Sequence, residues 1–146
     1  MYCTRKITDS VVWVGGSDRR LALFENLFPL PRGVSYNSYL ILDEKTALMD
    51  TVDTSITRQF LENILHTLNG RALDYLVINH MEPDHCAHIE ELLLRYPNLK
   101  LVGNDKTIKL IRQFYDMDID EHVLLVKEND TLPLGEHTLH FYLTPM

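Results

Sequence analysis

Residues 73–85 read Leu73-Asp74-Tyr75-Leu76-Val77-Ile78-Asn79-His80-Met81-Glu82-Pro83-Asp84-His85, and the passage from apolar run to polar bend decides the fold. Leu73 to Asn79 is β-rich and nearly all apolar, as expected of a central strand covered on both sides in an α/β sheet. His80, Glu82, Asp84 and His85 then place four metal-ligating side chains within six residues. If the chain leaves the strand extended, His80, Glu82 and Asp84 point to one side while Met81 and Pro83 face away. Pro83 stiffens the bend by fixing its own φ, and Asp84 and His85 fall at the start of the next helix, where backbone N–H groups favour an ionised carboxylate.

Mixed imidazole and carboxylate donors without a thiolate suit Fe, Mn or Zn better than a structural zinc site of the cysteine type. Four such side chains exceed what one catalytic metal takes from a protein and fall short of what two need, so a two-metal site with further ligands from elsewhere is expected. The competing reading is a polar, solvated turn at a strand end. The H-x-E-x-D-H spacing directly after an apolar strand favours metal.

Outward from this segment the pattern alternates strand and helix. Upstream, Val11 to Val14 is a strand candidate, and Ser38 to Leu42 and Thr46 to Asp50 form an antiparallel pair about the polar turn Asp43-Glu44-Lys45. Between them Asp18 to Val34, with Pro29, Pro31 and Gly33, reads as a loop over a surface or site. From Asp53 or Thr54 as a cap, Ile56, Phe60, Ile64 and Leu68 line one helical face, and Gly70 closes the element. Downstream, Ile89, Leu92, Leu93 and Tyr96 predict a second helix ended by Pro97. Lys100 to Gly103 is a strand, and Thr107 to Tyr115 a third helix capped near Asn104 or Asp105. Val123 to Val126 and Thr138 to Leu143 finish as strands around the Leu134-Gly135 turn. Thr144-Pro145-Met146 brings no covering helix, so the domain reads as cut short.

At 146 residues the chain is about one domain, and 14 Lys and Arg against 21 Asp and Glu leave a charge of −7 that disfavours nucleic acid and anionic membrane surfaces. No apolar run approaches the ~20 residues of a membrane span, and no signal-peptide pattern follows Met1 to Asp9, so a cytoplasmic protein is expected. Cys3 and Cys86 belong to no C-x-x-C motif and read as free thiols. His66, His122, His137 and His140 read as surface or packed imidazoles, and His88 as facing solvent or the edge of the metal site. Cys86 beside the ligands reads as an inert thiol. Val14-Gly15-Gly16-Ser17 lacks the lysine and spacing of a phosphate loop.

H-x-E-x-D-H resembles the metal signature of flavodiiron proteins, a branch of the metallo-β-lactamase fold whose hydrolytic relatives carry H-x-H-x-D-H. Further segments resemble the same family in the same order: Val14-Gly15 with Asp18, Phe24-Glu25, Gly33 to Leu40, Ala47 to Val52, and Leu139 to Met146. The resemblance implies the first part of an αββα sandwich, a mixed sheet with flanking helices. His80 and Glu82 would bind one iron ion and Asp84 and His85 the other, with Asp50 steadying the ligand loop from behind; no catalytic residue is implied beyond the ligands. It implies reduction of O₂ to water or NO to N₂O at two irons. Electrons would come from FMN on a flavodoxin-like domain absent from this chain, supplied by a rubredoxin-like or flavin reductase donor, in a homodimer when full length. The family's remaining ligands follow a Thr-Pro-Met stretch like residues 144–146, so the isolated chain is expected to be inactive. Two alternatives stand beside this one: a metal-dependent hydrolase of the same fold, and a non-catalytic remnant.

Overall fold

Leu40, Leu48, Leu76 and Leu101 stand side by side on four adjacent strands, and none is exposed. They floor the core seen in a computed structural model, which describes residues 2–24 and 26–144. The Glu25 of the Phe24-Glu25 resemblance, and Pro145 and Met146 at the chain end, lie outside the described residues.

In chain order the strands are β1 (Arg5–Lys6), β2 (Val11–Trp13), β3 (Gly16–Asp18), β4 (Leu23–Phe24), β5 (Phe28–Pro29), β6 (Val34–Tyr36), β7 (Tyr39–Leu42) and β8 (Thr46–Met49). A 3₁₀ turn at Thr54–Ile56 leads into α1 (Thr57–Leu68), followed by β9 (Tyr75–Val77), α2 (Pro83–Cys86), α3 (Ile89–Arg95), β10 (Lys100–Gly103) and α4 (Asp105–Phe114). A second 3₁₀ turn at Asp120–His122 precedes β11 (Val123–Leu125), β12 (Thr131–Pro133) and β13 (Thr138–His140). The main sheet runs β1-β2-β7-β8-β9-β10-β11. It is antiparallel from β1 to β8 and parallel from β8 to β11. This is the expected mixed α/β architecture.

Lateral pairing fixes what each face carries. The leucine row packs under Phe60, Ile64 and Leu68 of α1, Ile89, Leu92 and Leu93 of α3, and Ile108 and Ile111 of α4, in one continuous core. The neighbouring row, Trp13, Tyr39, Met49, Val77 and Val102, lies on the other face. There Trp13, Tyr39 and Met49 stay half-buried. The β12–β13 hairpin docks on that side of the β7–β8 turn through Lys45 N–H to the Leu134 carbonyl at 2.7 Å.

Helix boundaries follow local chemistry. Asp53 accepts the Ser55 N–H at 2.8 Å and caps the 3₁₀ turn, whereas α1 begins after Ile56 without a side-chain cap; Asn104 accepts the Thr107 N–H at 2.9 Å and caps α4 as expected. Asn69, at φ 47°, closes α1 in the left-handed conformation, followed by Gly70 at φ 86°. Asn63 is fully buried in mid-helix, donating to the carbonyls of Val14 (2.8 Å) and Gly15 (3.0 Å) and accepting the Cys3 N–H (2.7 Å). All of its hydrogen-bonding capacity toward β2 and the N-terminus is met inside the protein.

Several expectations are corrected. The Asp18–Val34 loop is two small sheets: β3 pairs with β6, and β4 with β5, with Pro29 tolerated in an edge strand that is exposed. The central strand is the three residues of β9 rather than 73–79, and it sits fifth of seven in the sheet. The single helix expected across 84–96 is broken into α2 and α3 at Ala87–His88. The last strand ends at His140 and pairs with β12. Among the described residues no helix is long and apolar enough to cross a membrane.

Candidate metal centre

The parallel strands β8 and β9 end side by side, and the ligand bend leaves their carboxyl ends, where open α/β sheets place ligands. Met81 turns inward, 9% exposed, while His80 and Glu82 turn outward; since Ile78 is also in the core, the strand's alternation slips by one residue at Asn79. Glu82 is still extended (φ −78°, ψ 151°) at the N-terminal boundary of α2. Pro83 occupies the first helical position, where its missing N–H costs nothing.

The helix therefore begins one residue before Asp84, and Asp84 does not continue the extended alternation. Pro83 likewise faces solvent rather than the core. Instead of one file of three, the donors form two pairs. His80 Nε2 lies 3.1 Å from Glu82 Oε1, and His85 Nε2 lies 3.6 Å from Asp84 Oδ2. The two imidazoles join the pairs, their ring centres 5.3 Å apart and their planes nearly perpendicular. Among the described residues no three His, Cys, Asp or Glu side chains are already closed around one metal-holding point.

Asp50 organises the bend from behind. It follows β8 at φ 55°, a conformation that turns the chain back under the ligand loop. Its Oδ1 accepts the Asn79 N–H at 2.7 Å, and its Oδ2 meets Asn79 Nδ2 at 3.3 Å and His85 Nδ1 at 3.1 Å. Backbone bonds complete the seam: Asp50 N–H to Val77 O at 2.8 Å, Thr51 N–H to His85 O at 2.7 Å, and Ser38 Oγ to Asp50 O at 2.9 Å. With its proton on Nδ1, His85 donates a hydrogen bond to Asp50, which leaves the Nε2 lone pair beside Asp84.

The donor set fits a metal chemically. Metal–donor bonds of about 2.1 Å place adjacent donors in a coordination sphere about 3 Å apart, close to the His80–Glu82 separation. All four donors are partly exposed, with side-chain exposures of 26% for His80, 53% for Glu82, 19% for Asp84 and 36% for His85. An ion could reach them from solvent.

The surroundings are informative too. Burial pushes the Cys86 thiol up, and the Asp84 and Asp50 charges act in the same direction, so it stays protonated as expected of an inert thiol. Burial likewise raises the Tyr36 phenol, which sits within the field of Asp53, Asp18 and Asp84. His88 corrects its expectation: it is 3% exposed and faces neither solvent nor the donors. Its Nδ1 meets Val52 O at 2.9 Å, its Nε2 meets Thr57 Oγ1 at 2.8 Å, and its ring lies 5.2 Å from that of Phe60. Desolvation lowers its pKa, so the unfolded chain takes up the proton first as pH falls. The stability His88 confers is therefore complete above the unfolded value of about 6.5 and declines below it. Melting temperature is expected to fall between about pH 7 and pH 5.5 more steeply for the native chain than for His88→Gln; parallel slopes would contradict this.

Three residues of this region were not assigned from sequence: Asn79, Thr51 and Tyr36. Asn79 carried a signal, since a polar amide ending an apolar strand needs a partner there.

The ODP family beta lactamase model matches residues 34–146, a span that contains β6 to β13 and every candidate donor. The chain belongs to that family. Among individual relatives, it is 37% identical over 142 residues to the anaerobic nitric oxide reductase flavorubredoxin of Pectobacterium carotovorum, covering 96% of this chain and 28% of that one. Among solved structures it superposes on the rubredoxin:oxygen oxidoreductase of Desulfovibrio gigas with a TM-score of 0.88 at 33% identity, covering 96% of this chain and 35% of that one. The flavodiiron protein of Giardia intestinalis gives a TM-score of 0.86 at 28% identity, with 94% and 33% covered. The resemblance to flavodiiron proteins and their metallo-β-lactamase-like fold is thereby established. This ODP chain spans about a third of the length of the relatives it matches.

Proposed function

We propose that the chain is the N-terminal portion of the metallo-β-lactamase-like domain of a flavodiiron oxidoreductase that reduces O₂ to water or NO to N₂O. His80 and Glu82 would hold one iron and Asp84 and His85 the other. The pairing of these donors about a His85 pinned by Asp50 is the observation that carries the reading. Two irons bound there would pass on electrons received from the flavin and offset the charge that builds on the substrate. The remaining ligands and a flavodoxin-like FMN domain would lie outside these 146 residues, a reading supported by the relatives' greater length. A rubredoxin-like protein or flavin reductase would donate electrons to a cytoplasmic homodimer.

The chain's own residues do definable work in this scheme. Asp50 keeps the proton on His85 Nδ1 and so reserves Nε2 for metal. Pro83 restricts the bend, which lowers the entropic cost of gathering donors. Buried Met81 anchors the bend to the core.

Anaerobic loading of the whole oxidoreductase with Fe(II), followed by O₂ and NO consumption assays with a reduced electron donor, tests the proposal. Turnover with iron supports it. Ester or lactam hydrolysis with bound zinc, and no consumption of either gas with iron, would replace it with the hydrolase reading. Asp50→Asn is expected to lower metal affinity by about 10–100-fold with the fold intact, read by competition with a chelator. Unchanged affinity would remove Asp50 from the site's support.

A further inference from the structure

Three turns converge at the end of the sheet opposite the metal bend: Thr8 to Ser10 between β1 and β2, Asp43 to Lys45 between β7 and β8, and Leu134 to His137 between β12 and β13. They bring together three side chains far apart in sequence. Ser10 Oγ lies 2.9 Å from His137 Nε2, and His137 Nδ1 lies 2.6 Å from Asp43 Oδ2. We propose that Ser10, His137 and Asp43 form a serine acyl-transfer site, separate from the metal centre, that hydrolyses small uncharged carboxylic esters.

The roles follow from geometry. The Asp43 side chain is only 5% exposed, and its oxygens accept backbone N–H groups of Glu44 (2.7 Å), Glu136 (3.1 Å) and His137 (2.6 Å). Burial opposes its charge, but these bonds outweigh burial and hold the carboxyl far below the ordinary carboxylate range. An ionised Asp43 keeps the proton on His137 Nδ1, so the Nε2 lone pair faces the serine hydroxyl. Nucleophile, base and orienting acid are thus within hydrogen-bond reach in sequence. Thr8 supplies a donor. Its Oγ1 accepts the N–H groups of Ser10 (3.3 Å) and Val11 (3.0 Å) and lies 3.4 Å from Ser10 Oγ, so its own proton can turn to a developing oxyanion. Ser10 and His137 are half-buried and open to solvent, which suits a small acyl group. Exposed Asp9, Glu44 and Glu136 ring the site and disfavour anionic esters.

The step balances without any change of oxidation state. Ser10 Oγ bonds to the ester carbonyl carbon while its proton passes to His137 Nε2. The bond from carbon to the alcohol oxygen breaks, and that proton leaves with the alcohol. Water, deprotonated by His137, then bonds to the acyl carbon; the carbon–Oγ bond breaks, His137 returns the proton to Ser10 Oγ, and the carboxylic acid leaves.

The protein is treated with 4-nitrophenyl acetate in the presence of a chelator, which removes any metal-dependent hydrolysis. Nitrophenolate release is followed, and the acetylated residue is located by mass spectrometry. The expected result is an acetyl group on Ser10, with acylation at least about 100-fold slower in His137→Gln and in Asp43→Asn. Melting curves report whether each variant is folded, and Ser10→Cys is expected to restore acylation at position 10 whatever the stability of the others. An adduct at another residue, no adduct at all, or nitrophenolate release unchanged in Ser10→Ala would overturn the proposal.

Discussion

If the proposed function holds, Asp84→Ala strips iron from the protein and abolishes consumption of O₂ and NO by the full-length protein. Asp84 supplies the carboxylate beside His85 Nε2, and its side chain is 19% exposed, so its removal leaves the imidazole without an anionic partner on that ion. Loss of a partner that merely orients a ligand already costs about 10–100-fold in metal affinity, and loss of a ligand itself should cost no less. His80→Ala is expected to act on the other pair, leaving Glu82 to hold an ion alone. Metal analysis after anaerobic reconstitution reads both effects. Full iron content in either variant would contradict the assignment, whereas lost turnover with iron retained would move these residues from binding to catalysis.

Phe60→Ala should produce the largest loss of stability, about 3–5 kcal/mol. Phe60 is fully buried in α1, within the core that joins the helices to the leucine row, and its ring contacts His88 behind the ligand helices. Truncation removes apolar burial and leaves a cavity that neighbouring side chains, fixed by the sheet below, fill only in part. Against a total stability of about 5–15 kcal/mol this is a large fraction. Denaturant unfolding measures it through a lower midpoint at unchanged slope. A loss below about 1.5 kcal/mol, the cost typical of volume-conserving exchanges, would mean that the core under α1 is loosely packed.

The parts of the fold legible in sequence were those with a repeating apolar signal. Ile56, Phe60, Ile64 and Leu68 marked the inner face of α1, and Asp43-Glu44-Lys45 between two apolar runs marked the β7–β8 hairpin. The bend at residues 80–85 carried a different signal, four donor side chains directly after an apolar strand, and the structure gathers them as two pairs. What escaped was either too short to show a period or held by polar contacts distant in sequence. Arg5 and Lys6 pair with Trp13 and Val12 although nothing in two charged residues signals a strand. The β3–β6 and β4–β5 pairs are two or three residues long and interrupted by proline and glycine, so periodicity has no room to appear. His88 looked solvent-facing because the break at Ala87–His88, which rotates it into the core, is set by its partners Val52 and Thr57. His137 looked like an ordinary hairpin imidazole because its partners Asp43 and Ser10 lie 94 and 127 residues away.

In the proposed function the bend at residues 80–85 grips iron through two side-chain pairs. Anaerobic Fe(II) titration of isotopically labelled protein, followed by NMR, tests it most directly, since the paramagnetic ion broadens only nearby resonances. His80, Glu82, Asp84 and His85 are expected to broaden first, with Asn79 and Asp50 following, while His66, His122 and His140 stay sharp. Broadening centred elsewhere, or a pattern unchanged by combining His80→Ala with Asp84→Ala, would contradict it.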